Sequence, residues 1–217
     1  MNHVEIIPAV NVETFEELVK AVRIAEPHAR WIHLDVADGT FTKNTIWHNA
    51  SDLLELETRL LIELHLMIGD IEKRIEEWLL PNISRAIFHI EASKDPFYTI
   101  DKIRQAKKEA GLAIAPQTQW MRLKPYLSNI DLVQALAVHP GLKGQEFQDE
   151  TLDKIKHLRA ADSKILIEVD GGMKVGIASR CVEAGANVIT AASSLYFSQS
   201  PFADAYQALK RDVMLKK

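Results

Sequence analysis

Three apolar runs end in side chains that can bind a cation or carry a proton. They are Trp31-Ile32-His33-Leu34-Asp35-Val36, Leu61-Ile62-Glu63-Leu64-His65-Leu66-Met67 and Ile167-Glu168-Val169-Asp170-Gly171-Gly172. Residues two apart in a β-strand point to the same side, so His33 and Asp35 leave their strand together. With the three runs as neighbours in one parallel sheet, His33, Asp35, His65 and Asp170 converge at its C-terminal edge. Two imidazoles and two carboxylates suit a divalent metal ion, because mixed nitrogen and oxygen donors accept several first-row ions. The same carboxylates can remove and return protons.

The elements that must position these residues alternate along the chain. Short β-rich runs fall near residues 4–10, 31–36, 60–67, 85–90, 111–115, 131–138, 164–169 and 187–192. Helical patterns separate them. Over 13–26, Phe15, Leu18, Val19, Val22 and Ala25 keep the three-and-four spacing of one buried face. Similar patterns cover about 70–80, 97–110, 150–161, 174–185 and 201–214, with weaker stretches at 48–58 and 119–128. Strand–helix alternation implies a parallel sheet, and eight such units fit a closed (β/α)8 barrel. An open doubly wound sheet is the alternative. It normally carries a glycine-rich turn after its first strand, and the first turn here is Ala9-Val10-Asn11-Val12-Glu13. The expectation is therefore an α/β single-domain TIM barrel over residues 1–217.

Composition narrows the partners. The 217 residues are 47% hydrophobic and 26% charged, ordinary for a globular protein with a substantial core. A net charge of −4 gives no reason to expect nucleic acid or an anionic membrane as partner. Trp31, Trp47, Trp78 and Trp120 are too far apart in sequence to form a stacking platform for bases. No apolar run approaches the ~20 residues of a membrane span, and the N-terminus lacks a signal-peptide pattern. The single cysteine, Cys181, excludes an internal disulfide framework and is expected as a buried structural thiol. A cytoplasmic location is expected.

In barrels the chemistry sits at the C-terminal strand ends, and His33, Asp35, His65, His89, Glu91, His139 and Asp170 all fall there. Histidines 3, 28, 48 and 157 lie outside the pattern. Glycines add a second signal. Gly141 and Gly144 follow strand six, Gly171 and Gly172 follow strand seven, and Ser193 follows strand eight. Loops after strands seven and eight commonly cradle phosphate through backbone N–H groups.

The segments His33-Leu34-Asp35-Val36-Ala37-Asp38-Gly39-Thr40-Phe41, Glu63-Leu64-His65-Leu66-Met67, His89-Ile90-Glu91-Ala92, His139-Pro140-Gly141-Leu142-Lys143-Gly144-Gln145-Glu146-Phe147 and Glu168-Val169-Asp170-Gly171-Gly172 together resemble the ribulose-phosphate 3-epimerase family. The resemblance runs through nearly the whole chain in the family's order. It implies a (β/α)8 barrel with a ribulose-phosphate-binding type of phosphate site, interconverting D-ribulose 5-phosphate and D-xylulose 5-phosphate. It further implies one divalent ion (zinc, iron, manganese or cobalt) on His33, Asp35, His65 and Asp170, with Asp35 and Asp170 as the acid/base pair. Gly141, Gly144, Gly171, Gly172 and Ser193 match positions near the substrate phosphate. A homo-oligomer is implied as well.

Epimerisation at C3 removes a proton beside the C2 carbonyl and returns it to the opposite face of a cis-enediolate, so one base is needed on each side. Asp35 and Asp170 are expected to exchange these roles with reaction direction. The chain departs from the family pattern where substrate is touched. Ala9 replaces a serine, and a lost hydroxyl contact costs about 0.5–1.5 kcal/mol. Ala37 replaces a methionine and is expected to open space, while Ala192 replaces a glycine and is expected to crowd the phosphate site. Lys43 and Lys143 add cations to two loops. These changes leave three other readings: an epimerase of a related ketose phosphate such as allulose 6-phosphate, a catalytically silent phosphosugar-binding barrel, and a barrel decarboxylase. The last is disfavoured, because Asp35-Val36-Ala37-Asp38 lacks the lysine of an Asp-x-Lys-x-x-Asp segment.

Overall fold

A strand such as Trp31–Ala37 has two faces, and the fold gives each a different neighbour. In the computed structural model, which describes residues 4–141 and 144–214, eight parallel strands close into a barrel in chain order. They are β1 (Glu5–Val10), β2 (Trp31–Ala37), β3 (Leu61–Met67), β4 (Ile83–His89), β5 (Glu109–Ile114), β6 (Leu132–Leu136), β7 (Leu166–Asp170) and β8 (Val188–Ala191). Outside them run α1 (Phe15–Ala25), α2 (Ile71–Trp78), α3 (Pro96–Gln105), α4 (Glu150–Ala161), α5 (Ile177–Ala184), the single turn α6 (Ser193–Tyr196) and α7 (Phe202–Met214). The expected TIM barrel is thereby realised.

Alternation sorts the side chains. Ile32, Leu34 and Val36 of β2, with Ile62, Leu64 and Leu66 of β3, face outward into the large core shared with the helices. Each such aliphatic side chain contributes about 1.5–3 kcal/mol on burial. Trp31, His33, Asp35 and Ala37 face inward. So do Ile7, Ile87, Leu132, Leu136 and Val188, which fill the barrel as a smaller apolar cluster. The polar inward residues are thus held on rigid strands, backed by a packed shell.

Local chemistry fixes the helix ends. Thr14 and Glu17 form a capping box at α1, and Asp95 accepts the Tyr98 N–H ahead of Pro96 at α3. The helix expected over 97–110 stops at Gln105, because Lys107 turns into the left-handed region at φ 60° and releases Glu109 and Ala110 to β5. The weaker stretches at 48–58 and 119–128 form the 3-10 segments Ala50–Glu55 and Trp120–Asn129, the second holding Pro125, which lacks the N–H a regular helix needs.

Barrel closure joins distant parts of the chain. Glu5 to Pro8 pair with Val188 to Ala191, and the Tyr206 hydroxyl of α7 donates to the Ile6 carbonyl at 3.1 Å. Cys181 is buried in α5, as expected, with its thiol pushed up to about 12 by burial. Among the described residues, no helix is long and apolar enough to cross a membrane.

Candidate active site

Register builds the site in two levels. Asp35 pairs with His65 across β2 and β3, and His33 pairs with Glu63 one level deeper. Asp170 lies beside Leu136 and Thr190, at the end of β7. The result brings His33, Asp35, His65 and Asp170 together: one ligand-capable atom of each lies within 4.8 Å of every other. His65 Nδ1 is 2.9 Å from Asp35 Oδ1 and 3.8 Å from Asp170 Oδ2, and His33 Nε2 is 3.4 Å from Asp35 Oδ1.

Asp35, His65 and Asp170 open onto a cavity of about 360 Å³ at the C-terminal mouth. The same cavity is lined by Gly141, Gly144, Gly171, Gly172 and Ser193, on the loops after β6, β7 and β8. Gly171 and Gly172 both have positive φ, at 104° and 69°. A Cβ on Gly172 would also meet the Phe147 nitrogen at 2.6 Å, so side chains are excluded here. The loops after β2 and β6 are tied together, since the Asn44 side-chain amide donates to the Gly141 carbonyl.

The two carboxylates differ in acidity. Burial drives Asp35 upward, but hydrogen bonds to His33 and His65 outweigh it and hold the carboxyl well below the usual range. The Asn11 side-chain amide donates to its other oxygen at 2.8 Å. Asp170 is raised to about 6, first by burial and then by the charge of Asp35. One cavity therefore holds two carboxyl groups pushed in opposite directions.

Beneath lies a level of charges that the sequence motifs contain but that carried no expectation. Glu63 Oε1 faces His33 Nδ1 at 2.8 Å, and Glu63 Oε2 accepts from Arg85 Nη1 at 2.6 Å. Arg85 also donates to Glu109 and lies 4.3 Å above the Trp31 ring. Burial raises the Glu63 carboxyl, yet His33 and Arg85 bring it down to about 2. Glu168 is pushed well above its ordinary range by burial and by Glu63. The period of two was the available signal: Glu63 precedes His65, and Glu168 precedes Asp170, by one residue pair.

This network tests whether a cation fits. Glu63, ionised and held by Arg85, accepts the Nδ1 proton of His33, so Nε2 of the neutral ring turns a lone pair toward Asp35. Four acceptors then crowd one point. Burial lowers His33, but Asp35, Glu63 and Glu168 outweigh it and raise it well above the histidine range, so the site favours positive charge. The same donor set fits a divalent ion.

The remaining expected residues fall elsewhere. His89 and Glu91 stand behind His65, away from the cavity. His89 Nε2 is 2.9 Å from His65 Nε2, and His89 Nδ1 is 3.2 Å from Glu91 Oε2. Burial holds His89 down to about 4. Burial raises Glu91, but His89, Thr118 and the Ala115 N–H bring it to about 2. His139 does not join the site: its side chain is exposed. His28, His48 and His157 also lie apart, and His3 is outside the described residues. Ala9 and Ala192 do line the cavity. Ala192 has φ −111°, outside the left-handed region that favours glycine, and its methyl lies in the cavity wall where crowding was expected. The space expected at Ala37 is absent. Ala37 is fully buried against Ile46, Met67 and Phe41, which occupy it. Lys43 is exposed on its loop, and Lys143 lies outside the described residues.

Comparison with known proteins agrees with this geometry. Residues 5–196 match the model of the ribulose-phosphate 3 epimerase family. Ribulose-phosphate 3-epimerase of Synechocystis sp. is 33% identical over 216 residues, covering 96% of this chain and 94% of that protein. The protein of the same name from Schizosaccharomyces pombe is 29% identical, covering 99% and 96%. Among solved structures, 3-hexulose-6-phosphate synthase superposes with a TM-score of 0.71 at 12% identity, covering 96% of this chain and 99% of that one. Orotidine 5'-monophosphate decarboxylase from Sulfolobus solfataricus reaches 0.65 at 13% identity, covering 98% and 99%. At such identities the last two show the fold alone.

Proposed function

Because the chain belongs to the ribulose-phosphate 3-epimerase family, whose members epimerise a carbohydrate phosphate, we propose that it inverts C3 of a ketose phosphate, D-ribulose 5-phosphate to D-xylulose 5-phosphate. The observation that carries this reading is the convergence of His33, Asp35, His65 and Asp170, with Asp35, His65 and Asp170 opening onto one cavity.

In this reading Asp35 takes the proton from C3, and Asp170 returns one to the opposite face. In the reverse direction the two exchange roles. Asn11 holds Asp35 through its second oxygen, leaving the first toward the histidines. Loss of the C3 proton leaves a cis-enediolate, flat enough for attack from either side. His33, Asp35, His65 and Asp170 would hold a divalent cation (zinc, iron, manganese or cobalt), which when bound supplies Lewis-acid stabilisation of negative charge on the sugar oxygens. Gly141, Gly144, Gly171, Gly172 and Ser193 face the phosphate in this arrangement, where the glycines let backbone N–H groups come close.

A six-carbon substrate such as allulose 6-phosphate is the second reading, favoured by Ala9 in the cavity wall. The deciding experiment incubates five- and six-carbon ketose phosphates with the protein in heavy water. Deuterium at C3 is the expected result, lost on treatment with a chelator and restored by zinc, iron, manganese or cobalt. Absence of exchange with every sugar and every added ion would leave a catalytically silent binder.

A further inference from the structure

Resting on the cation site proposed above, we infer that His89 and Glu91 are positioning residues that hold His65 in the tautomer whose Nδ1 lone pair faces the ion. Neither residue reaches the cavity, and neither would touch substrate or metal.

A neutral imidazole that binds a cation through Nδ1 must carry its proton on Nε2. That proton points at His89 Nε2, 2.9 Å away, with both rings buried and no solvent to accept it instead. His89 Nε2 must therefore be an acceptor, and its own proton must sit on Nδ1. The atom facing Nδ1 is Glu91 Oε2 at 3.2 Å, a carboxylate oxygen with no proton to give. Glu91 Oε1 is separately fixed by the Ala115 N–H at 3.0 Å, so the carboxylate cannot turn away. The Phe41 ring lies 4.6 Å from that of His89 and packs it in place.

With a cation held at Nδ1, each proton in the series Glu91–His89–His65 thus has one permitted position; without it, Nδ1 lies 2.9 Å from Asp35 Oδ1. Without Glu91, His89 is free to protonate Nε2. That arrangement drives the His65 proton to Nδ1, where it occupies the place of the cation. Partners that orient a metal-binding histidine through its far nitrogen typically set metal affinity by 10–100-fold. The unusual element here is that the partner is a second imidazole, itself set by a carboxylate.

The test measures zinc and cobalt affinity of the full chain by competition with a chromogenic chelator. His89→Met keeps the bulk of the ring without an acceptor, and weakens binding by about 10–100-fold. His89→Gln offers an amide oxygen to the His65 Nε2–H and restores most of that loss, which a merely space-filling role would not produce. Glu91→Gln keeps both rings and weakens binding by a smaller factor. Nitrogen-15 spectra of the zinc-loaded protein show His65 protonated at Nε2. Unchanged affinity in both His89→Met and Glu91→Gln, or a proton on His65 Nδ1 in the loaded protein, overturns the assignment. If His89→Met does not fold, Glu91→Gln decides alone, with unchanged affinity overturning it. Parent protein that takes up neither ion removes the cation site itself; parent uptake with indifferent variants removes only the roles of His89 and Glu91.

Discussion

Two neighbouring levels of the barrel interior carry the same kinds of side chain and meet opposite fates. The deeper one, around Glu63, Arg85 and Glu168, carries its own cation: Arg85 answers Glu63 and Glu109. The upper one, around Asp35, His65 and Asp170, makes its ion pairs with histidines, with no arginine or lysine paired to it among the described residues, and opens onto the cavity. Burying carboxylates is costly in both. The lower level meets that cost with a fixed cation of its own chain, and the upper level leaves it to a proton or a metal ion. The proposed chemistry draws on the second arrangement alone.

Variants can break or sharpen this division. The largest effect is expected in the upper level: Asp35→Asn and Asp170→Asn each lower turnover by about 10²–10⁴-fold, the usual share of a general acid or base. Folded variants of either kind with near-normal proton exchange would erase the distinction. In the lower level, Arg85→Met strands Glu63 without its partner. It should cost about 3–5 kcal/mol of stability in urea unfolding, as breaking a buried pair does, while the upper carboxylates keep their separate acidities. The smallest effect belongs to the barrel's opposite end, where Glu26 accepts hydrogen bonds from the Thr58 hydroxyl and the Arg59 N–H and is lowered from 4.5 to about 2. Its folded value lies below its unfolded value, so its contribution is present above about pH 4.5 and disappears as pH falls through 2. Glu26→Gln should flatten that acid loss in urea midpoints taken at pH 7 and near pH 2.5, with turnover unchanged. A loss of turnover in Glu26→Gln would mean that the two ends are not independent.

Much of this was legible in the chain. Strand positions followed from apolar runs bounded by turns, and the convergence of the four residues followed from a period of two. But β7 is not the expected neighbour of β2 and β3, since it pairs with β6 and β8 and Asp170 reaches the others across the closed barrel. Three things were not legible. Glu63 and Glu168 gave no separate signal, because their meaning lies in the depth of a strand within the barrel, which only register supplies. Ala37 suggested a void, since deletion of a large side chain reads as space; Phe41, Ile46 and Met67 come from three different segments to fill it. His89 and Glu91 were rightly placed at a strand end, but whether a strand-end residue faces the cavity or stands behind a neighbour depends on side-chain packing that no spacing encodes.

Closure of the ring through β1 and β8 has a consequence for the protein during its own synthesis. Ile6 must wait for a hydroxyl 200 positions later, and β7 and β8 emerge from the ribosome after most of the chain. Contacts of such long separation form slowly and late. A nascent chain stalled before Asp170 holds two histidines and one carboxylate on two strands, with no fourth ligand. The reactive centre is therefore assembled last, when translation has delivered the scaffold able to restrain it.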